Sequence, residues 1–243
     1  MALIRSVLFF LVLSITTPVY ATVALLSTPF PPLRRYRLIG GWTTIAMWCI
    51  RHILGIRHRV IGQENMPERS AVALVKHQSA WETIALQRIL PPISFVLKRE
   101  LLRIPFFGWG LARMPFIAID RAAGKDALSQ VVEQGGRLLE QGFWVVVFPE
   151  GTRVAPGTTR RYKPGGAWLA SHTGAPVVPI AHNAGEFWRR NAFVKHPGEV
   201  VVSIGPAIEA EGRPVDQINK EAEAWIEAEM RRLFPHHYET PAP

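Results

Sequence analysis

The chain has 243 residues and a single cysteine, Cys49. One thiol excludes an internal disulfide framework and a cysteine-rich zinc site. Acid is missing from the whole beginning: no Asp or Glu precedes Glu64, and no charge of either sign lies between Arg5 and Arg34. There is no Gly-x-Ser-x-Gly elbow to advertise a serine nucleophile. His52, His58, His172, His182, His196, His236 and His237 show neither His-x3-His nor Glu-x2-His spacing, so no metal is expected. Internal repeats and low-complexity tracts are also absent. A hydrophobic content of 48% is too high for a disordered chain. The length suits one sizeable core with an appendage.

What is present begins with charge. A formal net charge of +9 points to an anionic partner: nucleic acid, an anionic membrane surface or a phosphorylated substrate. Its placement narrows the choice. Residues 7–27, VLFFLVLSITTPVYATVALLS, are long enough to cross a hydrocarbon core of about 30 Å as a helix. Pro18 would kink that helix. A cleaved signal peptide ending at Val19-Tyr20-Ala21 is the alternative. Arg34, Arg35, Arg37, Arg51, Arg57 and Arg59 follow, and would keep that side of an anchor cytoplasmic. Basic residues beside a membrane segment suit anionic lipid, and no nucleic-acid motif accompanies them. Residues 38–50 are too short to span. With Trp42 and Trp48 they read either as an interfacial helix or as a buried one. The prolines of 29–32 read as a hinge.

From Val60 onward, strand-like and helix-like stretches alternate. Apolar runs fall at 71–75, 93–97, 116–119, 143–148, 177–180 and 200–204. Apolar residues recur at three- and four-residue steps through 124–141 and 217–234, which predicts amphipathic helices. The alternation predicts an α/β domain around a mixed, largely parallel central sheet flanked by helices.

Two stretches carry chemistry. KHQSAWET, residues 76–83, follows the run 71–75 directly. Ser79 and Glu82 make a Ser-x-x-Glu capping box, in which the glutamate satisfies free backbone N–H groups at a helix start. Glu82 could equally hold the imidazole of His77 so that it takes a proton from a substrate. Further along, FWVVVFPEGTR, residues 143–153, delivers polar groups at a strand's C-terminal end, where α/β proteins bind ligands. Gly151 permits close backbone approach, Thr152 offers a hydroxyl, and Arg153 offers a forked cation suited to phosphate. A solvated Pro-Glu-Gly-Thr turn is the plainer reading.

Together these two stretches resemble the glycerolipid acyltransferase family. So do GWGLARMPFIAIDR at 108–121 and APVVPIAHN at 175–183. The four blocks occur in the family's order, and the resemblance covers about 60–206. It implies a membrane-anchoring helical segment at 1–52 and an acyltransferase domain at 53–243. It also implies an acyl transfer from acyl-CoA or acyl-carrier protein to a phosphorylated lyso-lipid such as lysophosphatidic acid, without any other cofactor. His77 would be the general base and Glu82 its partner, with no covalent acyl-enzyme. The family's usual acid here is Asp; Glu82 is longer by one methylene.

By the same resemblance Arg121, Glu150, Gly151, Thr152 and Arg153 would bind the acceptor. Glu150 cannot attract phosphate, so it would position an arginine or a glycerol hydroxyl. Lys98 and Lys163 could add positive charge. The resemblance fits a bacterial inner membrane, with the catalytic domain on its cytoplasmic face. Other expectations to be separated are a different lyso-lipid acceptor, a non-catalytic lipid-binding protein, and a thioesterase.

Overall fold

A computed structural model of the chain describes residues 1–238 and, within them, every side chain except that of Arg121. Three helices come first: α1 (Ala2–Leu26), α2 (Pro32–Ile39) and α3 (Gly41–His52). The remainder runs β1 (Ile56–Ile61), β2 (Val72–Val75), α4 (Trp81–Ile89), β3 (Ile93–Lys98), α5 (Phe107–Leu111), β4 (Ile117–Ile119), α6 (Lys125–Glu140), β5 (Trp144–Val147), α7 (Gly165–Thr173), β6 (Val177–His182), α8 (Ala184–Phe187), β7 (Gly198–Ile204) and α9 (Val215–Leu233). The seven strands form one sheet in the order β1-β7-β6-β2-β5-β3-β4. Every neighbouring pair is parallel except β6 and β7. The expected mixed, largely parallel sheet is therefore present.

The central strands are apolar throughout because both of their faces are covered. Along residues 71–75 the side chains alternate between two cores. Ala71, Ala73 and Val75 face α3 and α4 with Ile50, Trp81 and Leu86. Val72 and Leu74 face α6, α7 and α9 with Val131, Leu169 and Ile226. Helix α9 buries Ile218, Ala222, Ile226 and Met230 at four-residue steps. Burying Ile218, Ile226 and Met230 stabilises the domain by roughly 1.5–3 kcal/mol each.

Sequence periodicity misses β1. Its segment, IRHRVI, exposes three consecutive polar residues and pairs only with β7, at the edge of the sheet. Edge strands are commonly charged, because charge blunts further pairing.

The first three helices share the core of the sheet. Phe9 and Ala24 of α1, and Ala46, Cys49 and Ile50 of α3, belong to the same buried cluster as the strands. Helix α3 answers the question left open for 38–50: one face is buried, while Trp48 is 59% exposed. Helix α1 is long and apolar enough to cross a membrane. It nevertheless lies along the domain. Near its start, the Ser6 hydroxyl accepts the Lys195 N–H at 2.9 Å and Phe9 meets Trp188 edge-on at 5.5 Å. Near its end, Ala21 and Ala24 are buried. Pro18 sits inside the helix without ending it.

Candidate active site

The parallel strands deliver their C-terminal ends to one edge of the sheet. There the chain places His77 after β2, Lys98 at the end of β3, the loop 149–153 after β5 and His182 at the end of β6. The loops are stitched together through His77. Its carbonyl accepts the Val154 N–H at 2.8 Å, and its own N–H donates to Glu150 Oε2 at 2.9 Å.

Glu82 holds the ring. His77 Nδ1 lies 2.8 Å from Glu82 Oε1, and the same oxygen accepts the N–H groups of Gln78 at 2.9 Å and Ser79 at 2.8 Å. Ser79 Oγ in turn accepts the Trp81 N–H. Glu82 thus makes its half of the capping box, through the Ser79 N–H, and holds the imidazole with the same oxygen, while Ser79 Oγ accepts from Trp81 and not from Glu82. A carboxylate only accepts, so Nδ1 carries the hydrogen and Nε2 is the basic nitrogen of the neutral ring. The ring stacks on Phe148 at 3.9 Å. Burial opposes ionisation of Glu82, but its histidine neighbours and the Ser79 amide outweigh it, and the carboxyl lies below the usual range.

His182, invisible as a site residue in the sequence, supports this arrangement from behind. Its Nε2 donates to the Lys76 carbonyl at 2.7 Å, and its Nδ1 accepts the Ala184 N–H at 3.2 Å. Burial pushes its pKa down, so the ring is neutral at pH 7.

Glu150 does not face the ligand space. Its side chain is wholly buried, with Oε1 3.0 Å from Nζ of an equally buried Lys76. That ion pair meets the distance for a hydrogen bond without its alignment. Lys76 Nζ also donates to Glu227 Oε1 at 2.6 Å, which accepts the Tyr162 hydroxyl at 3.0 Å. Burial pushes Glu150 up to about 7 despite Lys76, and the two carboxylates push Lys76 above the usual lysine range against its own burial. The expected contact of Glu150 with acceptor or arginine is replaced by a buried clamp between the His77 loop and α9. A lysine directly before His77 gave no sign of this, since lysines are rarely buried unpaired.

A cavity of about 690 Å³ opens beside His77. Gly151, Thr152, Arg153, Arg190 and Lys98 line it together with His77. Gly151 has φ +70°, and Lys163 packs against it so closely that a Cβ there would meet Nζ at 3.2 Å. Arg190 Nη1 donates to the Arg153 carbonyl at 3.2 Å. Among the described residues no carboxylate pairs with Arg153, Lys163 or Arg190. Arg190 was missed because its segment resembles no motif. Arg121 opens a 3-10 turn after β4, and its side chain lies outside the described residues.

The rest of the cavity is largely apolar, with Leu13 and Tyr20 of α1, Trp42, Ile84, Phe95 and Met114 on its wall beside a few polar residues such as Thr43 and Gln87. Phe106 and Phe107 close one side and are also partly exposed. Phe106 has φ +60° and ψ −59°, inside a tight turn whose Phe107 N–H donates to Pro105 O at 2.7 Å. Such a conformation is strained for a bulky residue and is found where surroundings force it.

The arrangement puts a basic nitrogen, two arginines with no carboxylate partner among the described residues, and a largely apolar lining in one cavity. The sequence profile described as Acyltransferase matches residues 57–183, which include His77, Glu82 and the loop 149–153 but not Arg190 or the parts of the cavity wall built from the first three helices. The chain belongs to the acyltransferase family. This acyltransferase is 47% identical over 237 residues to the 1-acyl-sn-glycerol-3-phosphate acyltransferase of Pseudomonas aeruginosa, covering 96% of this chain and 92% of that one. It is 32% identical over 175 residues to 1-acyl-sn-glycerol-3-phosphate acyltransferase alpha of Homo sapiens, covering 70% and 61% of the two chains. Its fold is similar to the crystal structure of the 1-acyl-sn-glycerophosphate acyltransferase PlsC from Thermotoga maritima. The TM-score is 0.79 at 21% identity, over 95% of each chain.

Proposed function

We propose that this acyltransferase moves a fatty acyl group from an acyl thioester to the free hydroxyl of lysophosphatidic acid, giving phosphatidic acid. The observation that carries the reading is His77. Its Nδ1 is tied to a buried carboxylate, and its ring stands on the wall of a cavity that arginines and many apolar side chains also line. His77 Nε2 removes the proton as the acceptor oxygen attacks the thioester carbonyl. A C–O bond forms, the tetrahedral intermediate expels the thiolate as the C–S bond breaks, and the imidazolium returns its proton to that sulfur. A positioned base of this kind contributes about 10²–10⁴-fold, and Glu82 stabilises the imidazolium while it lasts.

Arg153 and Arg190, both on the cavity wall, suit the acceptor phosphate, because forked cations favour that anion. The names of the relatives agree with this acceptor. Acyl-CoA and acyl-carrier protein both remain as donors. The attachment we propose is to an anionic membrane. Ile4, Leu8, Leu11, Ile15 and Val19 on the outer face of α1 are exposed, as are Ile104, Phe106 and Trp109 around α5. The arginines of α2 would meet lipid phosphates on the cytoplasmic side.

A labelled acyl thioester, incubated with the purified chain and a panel of lyso-lipids, tests the reading. Phosphatidic acid should form fastest from lysophosphatidic acid. Equal or faster acylation of a lysophospholipid lacking a terminal phosphate overturns the acceptor assignment. Release of free fatty acid without acceptor identifies a thioesterase instead.

A further inference from the structure

Away from the cavity, the short C-terminal 3-10 turn Pro235–His237 brings two imidazoles to a single carboxylate. His237 Nε2 lies 2.7 Å from Glu186 Oε1 and His236 Nε2 lies 3.4 Å from the same oxygen. The donor atoms of all three residues fall within 4.8 Å of one another. Ligand atoms held about 2.0–2.1 Å from a zinc ion stand about 3.3 Å apart at the tetrahedral angle. The His236 separation already matches that edge, and the His237 separation needs to open by only about 0.6 Å.

The surroundings supply what a ligating carboxylate requires. Asn183 Nδ2 donates to Glu186 Oε1 at 2.9 Å, and Asn183 is itself anchored because its Oδ1 accepts the Val201 N–H at 2.9 Å. Such outer hydrogen bonds orient metal ligands. The turn that carries the histidines is also fixed. Phe234 is buried in the core with α9, and the His237 carbonyl packs so tightly on Gly157 that a Cβ there would stand only 2.3 Å away. The side chain of His236 is 58% exposed, whereas those of His237 and Glu186 are 16% and 18% exposed. One side of the group is therefore open for an ion to enter and for water to complete its coordination.

We propose that Glu186, His236 and His237 form a binding site for one divalent transition metal of the zinc class. Two imidazoles and one carboxylate select zinc, cobalt or nickel over magnesium and calcium, which take oxygen ligands. The ion clips the C-terminal turn to α8. The residues just beyond α8, Trp188, Arg190 and Asn191, line the cavity, so the clip lies outside the catalytic chemistry but next to its wall. Spacing along the sequence could not disclose the site, because Glu186 and His237 are 51 residues apart.

The test is calorimetric titration of the full-length, tag-free protein in detergent with zinc chloride, and separately with magnesium chloride. One zinc ion per chain is expected to bind saturably, and magnesium not at all. Losing an outer partner commonly weakens metal affinity by about 10–100-fold, so losing a direct ligand should weaken it by at least about tenfold. Glu186→Gln and His236→Asn should both do so. His236 is the safeguard, since a largely exposed side chain can be replaced without unfolding the chain, which circular dichroism verifies. Absence of saturable zinc binding, or stoichiometric binding unchanged in His236→Asn, overturns the proposal and leaves the group a hydrogen-bonded Glu–His pair.

Discussion

His77 and Glu82 meet at a single oxygen: Glu82 Oε1 holds the imidazole Nδ1 at 2.8 Å while accepting the amides of the two residues that follow the histidine. Helix start and ring orientation thus depend on the same atom. Glutamine keeps an acceptor oxygen at that point but removes the charge. We expect Glu82→Gln to fold with a thermal midpoint close to that of the unmodified chain, while kcat falls by about two orders of magnitude or more. Ser79→Ala should do the reverse, losing about 1 kcal/mol of stability with a smaller change in turnover. Steady-state kinetics beside thermal unfolding checks both, and a fully active Glu82→Gln enzyme would sink the orienting role.

The buried clamp should be a liability when broken from one side. Lys76→Met leaves the buried Glu150, and the partly buried Glu227 beside it, without their cation, and such a loss costs about 3–5 kcal/mol. Adding Glu150→Gln to Lys76→Met should recover part of that loss. Chemical unfolding of the two single variants and the double variant measures the coupling. Strictly additive effects would mean that the 3.0 Å approach carries no interaction.

Charge-assisted hydrogen bonds contribute about 1.5–3 kcal/mol each. Arg153→Ala should accordingly raise the KM for lysophosphatidic acid by about tenfold or more, and leave the thioester KM within about twofold. Arg190→Ala should act in the same direction. If instead the thioester KM alone rises, these cations serve the donor's phosphates.

Buried His182 has a folded-state pKa below its ordinary value. Its contribution to stability is therefore present above about 6.5 and declines as pH falls toward the folded value. Glu82, also lowered, begins to contribute to the loss only below the ordinary glutamate range. Glu150 acts oppositely, since its raised pKa favours the folded state as pH drops below about 7. Comparing the unmodified chain with His182→Gln removes the Glu150 contribution, which both share. Between pH 7.5 and 5 the unmodified chain should lose more of its thermal midpoint than the variant does. Parallel pH profiles would place the histidine's proton elsewhere.

Helix α1 has two faces with different duties, and they can be separated. Deleting it removes Phe9 and Ala24 from the core and Leu13 and Tyr20 from the cavity wall, so activity should be lost together with membrane attachment. Substituting Gln for the exposed Ile4, Leu11 and Ile15 should shift the chain toward the soluble fraction while it still acylates detergent-dispersed acceptor. Membrane flotation and activity assays on the two forms decide this. Cleavage of the expressed chain after Ala21 would contradict any role for α1 in the mature enzyme.

Local pattern alone was enough for the central sheet and for setting the octet at the end of a buried strand, but it left Glu82 between cap and imidazole partner. Strands buried on both faces must be continuously apolar, and helices packed on one side must repeat every three or four residues; both regularities are written in adjacent residues. His77, Glu82, Gly151, Thr152 and Arg153 were legible because short loops at strand ends keep them within a few residues of those patterns. Tertiary structure decided what depends on distant segments meeting. Glu150 read as a ligand contact, yet its partner Lys76 and the α9 residue Glu227 turn it inward. Arg190 joins Arg153 across 37 residues, His182 reaches the Lys76 carbonyl across 106, and α1 closes a cavity formed chiefly by residues far along the chain. Charge and hydropathy state what a side chain can do. Whether a lysine is solvated or paired in a core, and whether an apolar helix faces lipid or a sheet, is set by the neighbours that folding supplies.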